Sequence, residues 1–391
     1  MNDFLAEAEA LFKYSQSLRR DFHRHPELGF QELRTAGIVA RELNEMGLEV
    51  TTGIAETGVV ALIEGKRPGP VALLRFDMDA LPILEETGVE YTSQNPGVMH
   101  ACGHDGHTAI GLTVARLLHD HRQELTGTVK LVFQPAEEGL GGAERMVSEG
   151  VLEQPKPDFT LALHLWNEKP LGWLGIAPGA TMAAAEIFRL RIMGSGGHGA
   201  LPHLAKDPLI SAAQIIMAIQ TIVSRNVSPL QAAAISVTRV HGGETFNVIP
   251  SEVELQGTIR TFEPPVKERV LSRLEEIVTG TAKSLGCHAE LEQKSMTPAV
   301  VNDPQLAAQV QAVARQVLST STLDTTYRSM VSEDMAYMMQ TIPGCYFFIG
   351  SSNPEKGLDA GHHHPRFNFD EQVLPRAAAL MAAAATQLLL Q

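Results

Sequence analysis

Two rhythms of apolar residues run along the chain. Short, nearly continuous apolar runs appear at "VVALIEG" (59–65), "VALLRFD" (71–77), "GTVKLVFQ" (127–134) and "FTLALHLW" (159–166). Between them, "TAGIVARELNEMG" (35–47) and "TAIGLTVARLLHDHRQEL" (108–125) carry the spacing of helices. Apolar strand-like runs alternating with amphipathic helices predict an α/β sheet, at least partly parallel and buried on both faces. The N-terminal "MNDFLAEAEALFKYSQSLRRDF" reads as one amphipathic helix, acidic first and basic afterwards.

Near residue 181 the texture changes. "EIFRLRIMG" reads as strand, "DPLISAAQIIMAIQTIVSR" as helix, "AAAISVTRVHGG" and "SEVELQGTIRTF" as two strands. A helix, "KERVLSRLEEIVTGTAKSLG", and a strand, "HAELEQKS", complete the series. Strand, helix, two strands, helix, strand is the order of a ferredoxin-like split βαβ unit. After "TPAVVND" the first texture returns, with "GCYFFIGS" as strand and "LPRAAALMAAAATQLLLQ" as closing helix. The pattern predicts an α/β domain of residues 1–181 and 296–391, interrupted by a smaller α+β domain of residues 182–295.

Composition narrows the function. At 391 residues the chain is comfortable for two domains. A net charge of −14 without a basic cluster argues against nucleic acid and anionic membranes as partners. No apolar run is expected to span a bilayer, and the N-terminus lacks the basic-then-apolar layout of a secretory signal. The cysteines Cys102, Cys287 and Cys345 are odd in number and far apart, so no disulfide framework is implied and a cytoplasmic location fits best.

The histidines, 15 in all, matter by their clustering. In open α/β sheets functional groups gather beyond the carboxyl ends of the strands. "VALLRF" runs into Asp77 and Asp79, "TVKLVFQPA" into Glu137 and Glu138, "FTLAL" into His164, and "CYFFIG" by a short loop into "GHHHPRF". Cys102 and His104, in "MHACGHDGHTA", open a predicted helix, with Gly103 between them to let the loop bend. Cys, His and Glu together suit a borderline divalent metal such as Zn, Mn, Co or Ni. Past Pro135 the chain leaves the ladder, so Glu137 and Glu138 fall in a turn. One can bind metal while the other handles a proton, which is the division of labour that hydrolysis requires. Two divalent ions against one thiolate and one carboxylate leave positive charge to stabilise an oxyanion, which favours two ions over one.

The motifs "LRRDFHRHPELGFQE", "RFDMDALP", "MHACGHDGHTA", "FQPAEEGLGGAERM", "GSGGHGALPH", "FNVIPSEVELQGTIRTF", "SEDMAYM" and "HHHPRFNFDE" occur in this order from about residue 15 to the C-terminus. Together they resemble the N-acyl amino acid amidohydrolases, which include hippurate hydrolases, auxin-conjugate hydrolases and N-acetyldiaminopimelate deacetylases. The resemblance implies a phosphorylase/hydrolase-like catalytic domain with a mostly parallel sheet, an inserted ferredoxin-like lid that also mediates homodimers or homotetramers, and two divalent metal ions. It implies metal binding by Cys102, His104, Glu138, His164 and His363. His363 is chosen from "HHHPRF" because Pro365 and Phe367 stand at the matching offsets. Glu137 becomes the general base and acid, and Asp79 a residue that orients the site. In related peptidases the segment at Asp77 carries a histidine ligand and that at Cys102 an aspartate bridge; here the pattern departs from both.

In the inserted domain the resemblance implies that His198 polarises the scissile carbonyl. Asn247, Arg260 and His203 are implied to hold the substrate, Arg260 by a charge-assisted pair with a carboxylate. The expected activity is amide hydrolysis of N-acyl-L-amino acids. Alternatives are N-acetyldiaminopimelate deacetylation, a dipeptidase or carboxypeptidase activity, and a non-catalytic metal-storage role that Glu137 beside Glu138 argues against.

Overall fold

The computed structural model describes residues 3–390. It divides into two compact units: residues 1–181, 300–328 and 334–391, and residues 182–299 with 329–333.

The first unit is built on an eight-stranded sheet. Across it run Glu49–Ile54, Gly58–Glu64, Thr126–Gln134, Arg67–Asp77, Phe159–Pro170, Gly344–Ser352, Trp173–Gly175 and Thr322–Asp324. The four strands from Thr126–Gln134 to Gly344–Ser352 are mutually parallel. Leu74, Phe76, Phe133, Leu161 and Phe347 are buried on one face of the sheet, and Leu73, Val132, Ala162 and Phe348 on the other. That explains why these segments read as continuous rather than alternating runs. Antiparallel pairing adds Gly58–Glu64 and Glu49–Ile54 on one side and Trp173–Gly175 on the other.

Two nearly enclosed helices, His104–Asp120 and Val373–Leu389, belong to the same core. The run of buried alanines from Ala377 to Ala385 lets the closing helix pack tightly among larger side chains. The N-terminal segment is two helices, Phe4–Ala10 and Phe12–Arg24, that meet at Leu11, where one was expected. A helix missed in the sequence, Pro304–Val317, begins on an Asp303 side chain that accepts from the amides of Gln305 and Leu306.

The second unit holds an antiparallel sheet in the order Ala233–His241, Glu252–Thr261, Ala184–Met193, His288–Thr297. With helices Pro208–Thr221 and Pro264–Ser284 it is the ferredoxin-like arrangement. This unit runs to Ala299 rather than to residue 295, because its last strand continues to Thr297. It also takes in residues 329–333, where the Ala183 amide donates to the Val331 carbonyl at 3.1 Å.

One expectation about apolar runs is corrected. The helical stretch Pro208–Asn226, 19 residues long, is apolar enough by length and composition to cross a membrane. Its Ala212, Ile215, Ile219 and Ile222 are buried in the core of the second unit, while Leu209, Ile210 and Met217 are exposed.

Candidate active site

The carboxyl ends of the four parallel strands share one edge, and the chemistry collects there. Asp77 ends one strand opposite Gln134, the last residue of its neighbour. His164 lies within the strand Phe159–Pro170, which runs past the expected 159–166, and is paired with Phe348. Gly103 caps the His104–Asp120 helix with φ +95°, a left-handed conformation that suits glycine and turns Cys102 and His104 toward one place. After Gln134 the chain leaves the sheet at Pro135. Ala136 is left-handed with φ +56°, and Glu137 and Glu138 sit in the turn that follows.

Among the described residues, overlapping groups of donor atoms form here, each within 4.8 Å: Cys102, His104 and His164; Cys102, Glu138 and His363; His104, Glu137 and Glu138; and Asp77, His104 and His107. Cys102 is common to the first two. Its Sγ lies 3.5 Å from His164 Nε2, while His164 Nδ1 donates to the Leu165 carbonyl at 2.6 Å. His164 Nε2 is therefore the nitrogen facing the thiol.

His104 is fixed from the other side. Its Nδ1 lies 2.9 Å from the Asp79 carbonyl and 3.1 Å from Asp79 Oδ1. Its Nε2 is buried and has no hydrogen-bond partner among the described residues. Burial alone would depress this imidazole, but Asp77, Asp79 and Glu138 override it and raise its pKa to about 10.

Glu138 Oε1 is likewise buried without a hydrogen bond, and His363 Nε2 stands 3.3 Å from it. Burial, then the carboxylates of Glu138, Glu137 and Asp77, raise the Cys102 thiol well above its ordinary value. Buried polar atoms without partners are costly, and an imidazole nitrogen, a carboxylate oxygen and a thiol facing one another are the donor set of a borderline divalent cation. The residues fit a metal.

The three histidines of "HHH" separate by role. His362 Nε2 is 2.9 Å from the Leu165 carbonyl, and burial lowers its pKa to about 4. His364 Nδ1 accepts the Arg366 amide at 3.0 Å. His363, left-handed at φ +62°, is the one beside Glu138.

A second layer of residues was not assigned from the sequence. His107 Nε2 accepts the Leu165 amide at 2.9 Å, so its proton sits on Nδ1 and is donated to Asp77 Oδ1 at 2.6 Å. With both nitrogens engaged, His107 supports the site and is not a ligand. The same Asp77 takes Arg75 Nη1 at 2.6 Å. Despite burial, His104, His107 and Arg75 hold Asp77 well below the usual carboxylate range. Arg75 also donates to Gln134 Oε1 at 2.8 Å and to Asp334 Oδ1 at 3.1 Å. Asp79 is the linchpin of the first layer: besides orienting His104, its Oδ2 accepts the Glu138 amide at 2.9 Å. His107 stood in the run that drew attention to Cys102, but only its partners tell a support from a ligand.

The remaining predicted residues lie in the second unit. His198 pairs with Val248 in a two-stranded ribbon, and its Nδ1 accepts the Ala200 amide at 3.0 Å. Asn247 is next to that ribbon, its carbonyl accepting the Gly199 amide at 2.8 Å. His203 is exposed in the turn Pro202–Leu204. Arg260 is apart from these on the four-stranded sheet, paired with Ala185 and Ala234, and its Nη1 donates to Thr258 Oγ1 at 2.6 Å. Burial lowers its pKa.

Thiol, imidazoles and paired glutamates at the carboxyl edge of a parallel sheet define the class: a hydrolase with a metal-binding centre. Residues 73–387 match the model of peptidase family M20/M25/M40, and the chain belongs to that family. It is 40% identical to "IAA-amino acid hydrolase ILR1-like 5" of Arabidopsis thaliana, over 99% of this chain and 89% of that protein. It is 39% identical to an N-acetylcysteine deacetylase of Bacillus subtilis, over 94% of each. Among solved structures it is similar to Bacillus subtilis YXEP, described as a dinuclear metal-binding peptidase of the M20 family, with a TM-score of 0.85 and 34% identity over 97% of this chain and 99% of that one.

Proposed function

We propose that the protein hydrolyses N-acyl-L-amino acids, N-acetyl and N-benzoyl forms such as hippurate included, to a free amino acid and a carboxylate. The observation that carries the reading is the shared thiol: Cys102 belongs to one donor group with His104 and His164 and to another with Glu138 and His363. Those groups would hold two divalent cations per chain, of the Zn, Mn, Co or Ni type. Bound there, the cations would acidify water and polarise the scissile carbonyl. Glu137 remains as the proton carrier. Its carboxylate, 3.4 Å from the Asp334 amide, takes a proton from the attacking water and returns it to the departing amine nitrogen.

Asp79 orients His104 and holds Glu138 by its backbone, and so acts on the chemistry through both. In the second unit, we assign His198 to the scissile carbonyl, Asn247 and Arg260 to the substrate carboxylate, and His203 to substrate binding. Homo-oligomerisation through that unit completes the proposal, supported by the fully exposed Phe246 and by Leu230 at 98% exposure. The free cysteines fit the reducing cytoplasm.

The test is a substrate panel on metal-loaded enzyme. N-acetyl- and N-benzoyl-L-amino acids are expected to be cleaved with kcat/KM at least about tenfold above plain dipeptides and above N-acetyldiaminopimelate, a difference of about 1.4 kcal/mol in transition-state binding. A preference for dipeptides would overturn the substrate class and favour a dipeptidase.

A further inference from the structure

The turn that carries Glu137 and Glu138 begins on a strained residue. Ala136 is a buried non-glycine residue at φ +56°. Such a conformation costs on the order of 1–2 kcal/mol and persists only where the surroundings impose it. Two contacts impose it here. Glu32, buried at the start of the Leu33–Glu45 helix, accepts the Ala136 amide on Oε1 at 2.9 Å. Gly29, three residues before Glu32, also lies close against Ala136. A methyl placed on Gly29 would sit 3.0 Å from both Ala136 Cα and Cβ and 2.8 Å from Leu140 Cδ1.

Glu32 is itself aimed. Its Oε2 accepts the Thr57 hydroxyl at 2.6 Å, so both carboxylate oxygens are committed. Farther round the turn, the Gly142 amide donates to the Ala136 carbonyl at 3.0 Å, and Asp79 holds the Glu138 amide at 2.9 Å. Ala136 is thus gripped at both its amide and its carbonyl, immediately before the proton carrier.

We infer that Glu32 is a positioning residue: through its hydrogen bond to the Ala136 amide it holds the left-handed turn that aims Glu137. It touches neither substrate nor metal in this account. The inference rests on the proposed hydrolysis and on Glu137 as its base. A side chain that accepts one amide and meets one hydroxyl does not need a charge for that task. Gln in place of Glu keeps an oxygen for Ala136 and presents an amide to Thr57, whose hydroxyl can turn to accept it.

The test uses metal-loaded enzyme with an N-acetyl-L-amino acid, and hydrogen exchange of the Ala136 amide followed in parallel. E32A is expected to lose about 10- to 100-fold in kcat with KM within about threefold and metal content unchanged, because misplacing a catalytic group costs rate rather than binding. Its Ala136 amide should exchange at least about tenfold faster. E32Q should keep both kcat and slow exchange near wild type. Adding A136G to E32A should recover much of the lost kcat, since glycine enters the left-handed region without the Cβ penalty. Wild-type kcat in E32A overturns the inference, as does a double variant no better than E32A. If E32A does not fold, Thr57→Val serves in its place, with an expected loss of about threefold or more in kcat; unchanged turnover there also overturns it. If the wild type cleaves no N-acyl amino acid, the proposed function fails, and the exchange rates still judge whether Glu32 holds the turn.

Discussion

At the scale of single residues, the two adjacent glutamates have different surroundings. Glu138 is tied down by its backbone amide on Asp79, and its Oε1, which makes no hydrogen bond, stands 3.3 Å from His363 Nε2. Glu137 faces the Asp334 amide. The difference predicts separable effects. Glu137→Gln should retain its metals and lose at least about 100-fold in kcat, the scale of a general base; metal analysis beside steady-state kinetics checks it, and wild-type turnover would remove Glu137 from the mechanism. Residue type alone does not pick the ligand candidates, since Glu-Glu recurs at Glu85–Glu86 and Glu275–Glu276; their place just past the apolar strand runs is what singled them out. It could not separate His104 from His107. Both are buried imidazoles on one helix, and only the Leu165 amide on His107 Nε2 shows that the latter is already spent.

At the scale of elements, the parallel strands were legible because burial on both faces makes their sequence continuously apolar. The strand Trp173–Gly175 and the edge strand Thr322–Asp324, of three residues each, are too short to set up any period. The turn after Gln134 was legible from Pro135, but its left-handed Ala136 was not, because alanine carries no signal for that conformation. The clamp on this turn has a pH signature. Burial, with a smaller contribution from Asp79, outweighs the hydrogen bonds from Thr57 and Ala136 and raises Glu32 from its ordinary 4.5 to about 7. The folded chain therefore binds this proton more tightly than the unfolded chain. The resulting stabilisation is whole below 4.5 and is lost as pH rises through about 7. Glu32→Gln has no such proton to lose. In metal-free protein its Tm should gain on wild type between about pH 5 and about pH 8. A Tm difference that stays flat across that range would contradict the raised pKa.

At the scale of the whole molecule, strand, helix, strand, strand, helix, strand in mid-chain identified the ferredoxin-like unit, and the return of α/β texture showed that the first unit is discontinuous. The residues 329–333 escaped notice because they join the second unit by backbone pairing, which leaves no mark on composition. What the first unit achieves is to bring side chains from residues 102, 104, 138, 164 and 363 to one edge of a single sheet. The most direct measurement is a metal titration of stripped enzyme, with bound metal and hydrolysis of an N-acyl-L-amino acid read on the same samples. The account predicts no turnover without metal, recovery that saturates near two equivalents per chain, and loss at both positions in Cys102→Ala because both donor groups share that sulfur. Full activity in stripped protein, or two tightly bound ions in the cysteine variant, would contradict it.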